Sequence, residues 1–345
     1  MSGWRERIGL EHPLVQAGMG GGLSTAPLAA AVSAAGALGT VGIMPPRAFA
    51  AELRAARGLA GARPVAANLL VPFLRRAHVR ACVEGGAALV VLHGGFAPRV
   101  VAALRAAGIV VLQQVGTAVE ARRALGDGVA GVIVQGLEAG GHTYATAPRA
   151  AAVAAVRAAL PDATPVLAAG GVVDGDDVAA ALAEGADAVV VGTRFLATDE
   201  SRAHPAYKRA LVAGERTIDT LLFGVGWPMR HRVLVNAATD RWCRRDDRGP
   251  AAVRALGLAT GPVGRLLPLA AMELAPRLQR PAVPLLTPGP ALAGGGPDAL
   301  VERTPLYAGQ GVGRIDAIVP AAQVVRALTP APAASRAPAV DPPRR

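Results

Sequence analysis

Eight short apolar runs alternate with Ala-rich stretches before residue 197: Leu14–Ala17, Ala37–Ile43, Pro64–Leu70, Ala87–Leu92, Ile109–Gln114, Gly131–Gln135, Pro165–Ala169 and Ala186–Val191. Each is largely apolar throughout instead of alternating, the pattern of a parallel strand covered on both faces. The intervening stretches carry helix-start punctuation at Ser24-Thr25-Ala26-Pro27, at Pro46, at Pro98 and at Asp174 to Asp177, and Gly116-Thr117 through Gly126 fits another short helix. The rhythm predicts an α/β chain built as a closed (β/α)8 TIM barrel, with a doubly wound open sheet as the alternative.

After Leu196 the rhythm stops. Residues 200–305 mix helix-forming stretches (Tyr207–Val212, Ala251–Leu256, Leu266–Leu278) with Pro- and Gly-rich connections such as Pro284–Pro297, and Ile315–Leu328 reads as the last barrel helix. The expected organisation is therefore a barrel from 1–199 plus 306–328. A smaller, mainly helical C-terminal subdomain, 200–305, is inserted before the last helix, and 329–345 is a disordered Pro/Ala/Arg tail.

Composition changes this picture little. A chain of 345 residues matches one barrel plus an appendage, and 52% hydrophobic residues with 3% aromatics imply a core of Ala, Val and Leu. The net charge of +11 comes from scattered arginines and a single lysine, Lys208, with no basic run interleaved with aromatics, so no nucleic-acid partner is expected. Residues 13–46 lack charge but hold seven glycines and four prolines, which reads as two strands and a helix and not as a membrane span. Two cysteines, Cys82 and Cys243, fit a reducing cytoplasm and give no metal site.

Candidate chemistry gathers where barrels place their active sites, just after the strands. Gly18-Met19-Gly20-Gly21-Gly22 follows the first run, His93-Gly94-Gly95 the fourth, Gly136 to His142 the sixth, Gly170-Gly171 the seventh and Gly192-Thr193 the eighth. Glycine lets backbone N–H groups approach a flat ligand or a phosphate. Either of the last two loops alone could be a tight turn, but in tandem they point to phosphate, with Thr193 as a hydroxyl donor. No GxGxxG fingerprint follows the first strand, since Leu23 stands where its third glycine would be, and no Walker-type, HExxH or GxSxG motif occurs. Of six histidines, His93 and His142 fall at strand ends. His142, after two glycines, is the candidate base, His93 reads as a hydrogen-bonded loop residue, and His12, His78, His204 and His231 read as structural.

These residues carry a resemblance. Pro13-Leu-Val-Gln-Ala-Gly-Met-Gly20, Ala66-Ala-Asn68-Leu69, Gln135 to His142, Pro165 to Gly171, Val191-Gly-Thr-Arg-Phe-Leu196 with Ala203 to Lys208, and Tyr307 to Gly313 together resemble the FMN-dependent nitronate monooxygenases, formerly 2-nitropropane dioxygenases, and the related flavin-dependent enoyl reductases. The resemblance implies FMN as cofactor, with Gly18 and Met19 against the flavin ring and Asn68 and Gln135 bonded to the isoalloxazine or ribityl chain. It also implies that Gly140, Gly170, Gly171, Gly192 and Thr193 hold the phosphate. His142 matches the family's catalytic histidine, and the Tyr307–Gly313 loop approaches the substrate. The implied reaction oxidises an alkyl nitronate, or a nitroalkane, with O2 to a carbonyl compound and nitrite. An FMN-dependent NAD(P)H reductase of enoyl thioesters or quinones is the rival, and a non-catalytic FMN or phosphate-binding barrel is a third reading against which His142 argues. A cytoplasmic protein with a small-molecule substrate and O2 as partners is implied, a homodimer being open. The sequence departs from the family at Thr143-Tyr144, where a small basic pair commonly follows the histidine, in the polar Gln113-Gln114-Val115, and across 216–305.

Overall fold

The computed structural model of the chain describes residues 4–267 and 269–329. Apart from Thr329, the expected tail lies outside the described residues. The strands are β1 (Leu14–Gln16), β2 (Gly39–Val41), β3 (Val65–Leu70), β4 (Leu89–His93), β5 (Val110–Val115), β6 (Gly131–Gln135), β7 (Gly141–His142), β8 (Val166–Ala169), β9 (Ala188–Val191), β10 (Thr217–Thr220) and β11 (His231–Leu234).

All eight apolar runs form strands, and these pair in parallel in the order β1-β9-β8-β6-β5-β4-β3-β2. A parallel bridge between Val15 and Leu38 joins the two ends of that order, so the sheet is a (β/α)8 barrel and not an open doubly wound sheet. Helices 26–34, 46–60, 76–84, 98–106, 118–126, 149–159 and 175–183 cover the outside, and helix Ala321–Leu328 packs against helices 26–34 and 175–183 as the eighth. It begins six residues later than the apolar pattern suggested, because Ile315–Pro320 runs as a connection in which Val319 bridges Thr198.

The helices form for ordinary reasons. In helix 46–60, Phe49, Leu53, Ala56 and Ala60 are buried at helical spacing while Arg54 faces water and the half-buried Arg57 donates to Arg63 O at 2.8 Å. Thr117 and Asp174 cap their helices through side-chain oxygens that accept from Glu120 N–H at 3.2 Å and Asp177 N–H at 3.0 Å. Ser24 and Thr25 do not cap helix 26–34 in this way: the Ala26 N–H is taken by the Glu52 carboxylate at 2.7 Å, and Ser24 Oγ accepts from Met19 N–H at 3.0 Å. Ser24 thereby ties down the first glycine-rich loop.

The barrel interior is filled by Val15, Leu38, Ala66, Leu89, Val91, Leu112, Ile133, Leu167, Ala188 and Val190. Trp4 and Ile8, on a short helix that the sequence pattern did not suggest, belong to the same cluster. Residues 200–305 hold helices 205–213, 237–242, 251–266 and 269–278, and also the two strands β10 and β11, which join β7 in a small antiparallel sheet. That sheet is the feature the apolar pattern missed, because its strands are only two to four residues long and carry polar residues.

Leu167 is fully buried in the interior layer. Leu167→Ala is expected to lower unfolding free energy by about 2–5 kcal/mol through lost burial and the cavity left behind, read from urea denaturation midpoints.

Candidate active site

Strand alternation fixes what faces the barrel axis. On β3 to β6 the inward positions read Ala66 then Asn68, Val91 then His93, Leu112 then Gln114, and Ile133 then Gln135. The lower residue of each pair is apolar and belongs to the interior cluster, while the upper one is polar and lines a cavity of about 240 Å³ at the C-terminal ends of the strands. Gln113, one residue out of phase, turns outward, and its Nε2 donates to the carbonyls of Leu92 at 3.1 Å and Gly95 at 3.2 Å. The polar Gln113-Gln114 pair thus divides between bracing the top of β4 and lining the cavity.

Every residue expected at the site lines this cavity: Gly18, Met19, Asn68, Gln135, Gly140, His142, Gly170, Gly171, Gly192 and Thr193. Their environments differ. A Cβ on Gly18 would lie 2.1 Å from the Asn68 Cβ, and one on Gly140 would lie 2.5 Å from the backbone of Ala308 and Gly309. The chain's own packing demands glycine at both. Gly192 is different, since a Cβ there would meet only Ala17 at 3.5 Å, an ordinary contact.

Gly170 and Gly171 adopt φ of 117° and 74°, the left-handed region that glycine alone enters freely. Their carbonyls are held by arginines: Arg149 donates to Gly170 O at 2.8 Å and Arg314 to Gly171 O at 3.1 Å. Because the peptide is planar and trans, the N–H groups of Gly171 and Val172 turn away from those arginines. Arg149 is itself paired with Glu184 at 2.9 Å, and Arg314 with Asp177 at 2.7 Å. Thr193 Oγ1 accepts from Gly309 N–H at 3.0 Å, which leaves its own hydroxyl proton available as a donor.

Gln135 is mostly committed within the protein. Its Nε2 donates to His142 O at 3.0 Å and its Oε1 accepts from Tyr144 N–H at 3.2 Å, so the amide clamps β7 against the barrel rim. Thr143 and Tyr144, the departure from the family pattern, serve the same end: the buried Thr143 hydroxyl accepts from Ala145 N–H at 3.0 Å, and the Tyr144 ring meets His93 edge-on with centroids 5.4 Å apart.

His142 faces His231 across the antiparallel pair β7–β11. Its ring stacks on Trp227 with centroids 3.7 Å apart and planes 23° apart, lies 5.2 Å from His231 and 5.3 Å from Tyr307. Burial, then the neighbouring His231 and His93, hold its pKa well below 6.5. Burial alone pushes His93 down to about 4, and burial lowers His231 to about 4 despite its Nδ1 contact with Met229 O at 2.9 Å. At neutral pH the three rings are therefore neutral, and His142 carries an open lone pair. Asn68 Oδ1, His93 Nδ1 and His142 Nε2 are buried without hydrogen-bond partners, which leaves polar atoms at the site unsatisfied within the protein.

Trp227 carries no motif or period in the sequence, and there His231 reads as structural and His93 as a hydrogen-bonded residue at a strand end. His93 does end β4, as expected, but its Nδ1 has no partner and it lines the cavity, while His231 lies on β11 beside His142. A signal for Trp227 was present: it is one of only three tryptophans in a chain with few aromatics. Among the described residues no group of His, Cys, Asp or Glu could hold a metal ion, and no helix is long and apolar enough to cross a membrane.

A parallel barrel whose strand ends carry glycine loops and unpaired polar atoms defines a small-molecule site of the TIM-barrel class. Sequence comparison identifies the group: the model of the family described as nitronate monooxygenase matches residues 4–80 and 71–331, and the chain belongs to that family. It is 36% identical over 241 residues to a (3aS,4S,5R,7aS)-5-hydroxy-7a-methyl-1-oxo-octahydro-1H-indene-4-carboxyl-CoA dehydrogenase of Mycobacterium tuberculosis, an alignment covering 66% of this chain and 64% of that one. A nitronate monooxygenase of Pseudomonas aeruginosa is 35% identical over 262 residues, 62% of this chain and 74% of that one. The chain thus spans just under two thirds of the CoA dehydrogenase relative's length. Among solved structures, nitroalkane oxidase from Streptomyces ansochromogenes superposes with a TM-score of 0.74 at 31% identity, covering 95% of this chain and 96% of that one. FabK from Thermotoga maritima does so at 0.74 and 28%, covering 95% and 94%.

The histidine cluster makes stability pH-dependent. With folded pKa values depressed and unfolded values near 6.5, the unfolded chain binds more protons between about pH 6.5 and 4, so stability falls as pH drops through that window. Each histidine contributes a slope of up to about 1.4 kcal/mol per pH unit. His231→Phe is expected to flatten the slope by up to one proton, measured from urea midpoints at pH 7, 6 and 5.

Proposed function

We propose that this chain is an FMN-dependent oxidoreductase that oxidises alkyl nitronates, and nitroalkanes after proton removal, with O2 to a carbonyl compound and nitrite. The observation that carries this reading is His142: a neutral, buried imidazole beside unpaired polar atoms at the mouth of a barrel whose glycine loops suit a phosphate. When bound, the flavin supplies the redox chemistry, accepting electrons from the nitronate and passing them to O2.

The residues present fit that cofactor. The unpaired Asn68 Oδ1 would accept a hydrogen bond from the ring system, and Gly18 and Met19 would form one wall beside it. The N–H groups of Gly171 and Val172, turned away from Arg149 and Arg314, would face a phosphate together with Gly192, Thr193 and the closely packed Gly140. FMN in place of a larger flavin is part of the proposal, checked by the mass of the flavin released on denaturation. Gln135 would act mainly through β7, orienting His142.

His142 would take the α-proton of a neutral nitroalkane. Among the described residues no Lys or Arg lines the cavity, so the substrate class we infer is an uncharged nitroalkane or a nitronate with apolar substituents, in preference to one bearing a carboxylate. Residues 200–305 would be the substrate side, because Trp227 and Pro288–Pro290 line the cavity opposite the barrel. The reading places the enzyme in the cytoplasm, where Cys82 and Cys243, both unpaired and buried, stay reduced, and it allows a homodimer.

The second reading is an NAD(P)H-dependent reductase acting on thioesters or quinones, and the CoA-thioester name of the M. tuberculosis relative favours keeping it. An anaerobic visible spectrum separates the two. Bleaching by propyl-1-nitronate, stronger than by propionate 3-nitronate, is expected, and bleaching only by NADH or NADPH would favour the reductase. His142→Asn should keep its flavin and lose roughly 100-fold or more in turnover of neutral nitroalkanes, the usual worth of a general base.

Gly192 and Gly140 allow a test of the phosphate placement. Gly192→Val should cost the flavin-free protein far less melting temperature than Gly140→Ala while abolishing flavin retention, because a Cβ at Gly192 meets only Ala17 at 3.5 Å and the branched side chain would occupy the phosphate's place. Gly140→Ala should destabilise the flavin-free protein itself, because its Cβ collides with backbone. Full flavin occupancy in Gly192→Val would remove the phosphate from that loop.

A further inference from the structure

A buried base that takes up a proton must also accommodate a positive charge. The titratable groups facing His142 are His93 from the end of β4, His231 from β11 and Tyr307 from the segment after Leu306. Both histidines are neutral, and the Tyr307 hydroxyl donates to Pro288 O at 2.7 Å, so Tyr307 presents its ring and not its proton. Among the described residues no carboxylate is hydrogen-bonded to His142, and its Nε2 has no partner. What covers the imidazole is the indole face of Trp227, 3.7 Å away and nearly parallel.

Trp227 is firmly placed. Its ring meets Phe73 edge-on at 5.1 Å, and the preceding Gly226 is so tightly packed on helix 251–266 that a Cβ on Gly264 would lie 2.0 Å from Gly226 O. Gly226 N–H also donates to Thr260 Oγ1 at 3.1 Å from the same helix. The indole is therefore held against the imidazole by packing on Phe73 and by the anchoring of Gly226 to helix 251–266.

We propose that Trp227 is a positioning residue for His142, fixing the plane of its ring and holding, through its π-face, the positive charge the ring acquires on taking the substrate's α-proton. This rests on the reading of the chain as a nitroalkane- and nitronate-oxidising enzyme. In the step concerned the α C–H bond breaks, its electron pair stays on the substrate delocalised into the nitro group, and the proton goes to the unprotonated ring nitrogen of His142. A preformed nitronate has already lost that proton and does not need the step. The contribution of an indole face to a desolvated cation makes Trp the best of the aromatic partners.

The test compares wild type, Trp227→Leu and Trp227→Phe as full-length flavin-loaded proteins, with 1-nitropropane and with preformed propyl-1-nitronate. In Trp227→Leu the ratio of kcat/KM for the nitroalkane to that for the nitronate should fall roughly 10- to 30-fold, and Trp227→Phe should recover most of it. In parallel, NMR of the flavin-free chain should show the His142 imidazole resonance, identified by its loss in His142→Asn, titrating about one pH unit or more lower in Trp227→Leu. A drop of equal factor with both substrates and an unmoved titration would reduce Trp227 to a wall of the pocket and overturn the proposal. If Trp227→Leu does not fold, Trp227→Phe decides, with a ratio roughly threefold or more below wild type expected and an unchanged ratio overturning it. If wild type oxidises neither substrate, the functional reading fails on its own, and the titration alone decides whether Trp227 stabilises the protonated ring.

Discussion

In a closed ring of parallel strands every C-terminal end emerges at the same rim, and every second side chain points at the axis. The rest of this molecule depends on that constraint. At successive inward positions β3, β4, β5 and β6 change from apolar to polar, so Asn68, His93, Gln114 and Gln135 share one layer above Ala66, Val91, Leu112 and Ile133. The lower layer repels water and holds the barrel closed. The upper layer lines the cavity, and in it Asn68 Oδ1 and His93 Nδ1 are buried polar atoms that the protein does not satisfy by itself.

His142 is placed by a different device. It follows Gly140 and Gly141, leaves the barrel wall and pairs with β11 in a small antiparallel sheet, so the candidate base belongs to the barrel by sequence and to the 200–305 segment by its contacts. Gln135 links the two, using its whole amide to grip the backbone on either side of Thr143. Holding three imidazoles in a dry cluster costs stability below pH 6.5, and it keeps a lone pair available across neutral pH.

The barrel was legible in the sequence because doubly covered parallel strands are apolar from end to end, and all eight runs became strands. The glycine loops were legible because φ above zero and close backbone approach require glycine, as at Gly170, Gly171 and Gly140. His231 and Trp227 were not. Both reach His142 across some ninety residues of chain, His231 by pairing on a strand too short to show a period and Trp227 by ring stacking from the connection before it. The Ser24 cap failed for a related reason, since a distant carboxylate, Glu52, took the N–H that a local hydroxyl would have used.

The two ends of the cavity solve opposite electrostatic problems without a charged side chain among the described residues that line it. At the glycine end, the carbonyls of Gly170 and Gly171 are held by arginines whose own charges are neutralised by Glu184 and Asp177, so an anion bound as proposed would meet peptide dipoles and no free cation. At the histidine end, neutral rings and the face of Trp227 can receive a proton without a standing counter-ion. A fixed charge at either end would draw in water and strengthen binding of ionic ligands indiscriminately. The two ends would then act differently. A phosphate keeps its charge throughout, so the glycine loop would serve binding alone. A charge on His142 would arise only in the proton-transfer step, so the influence of Trp227 would be concentrated where an interaction accelerates a reaction instead of merely tightening binding.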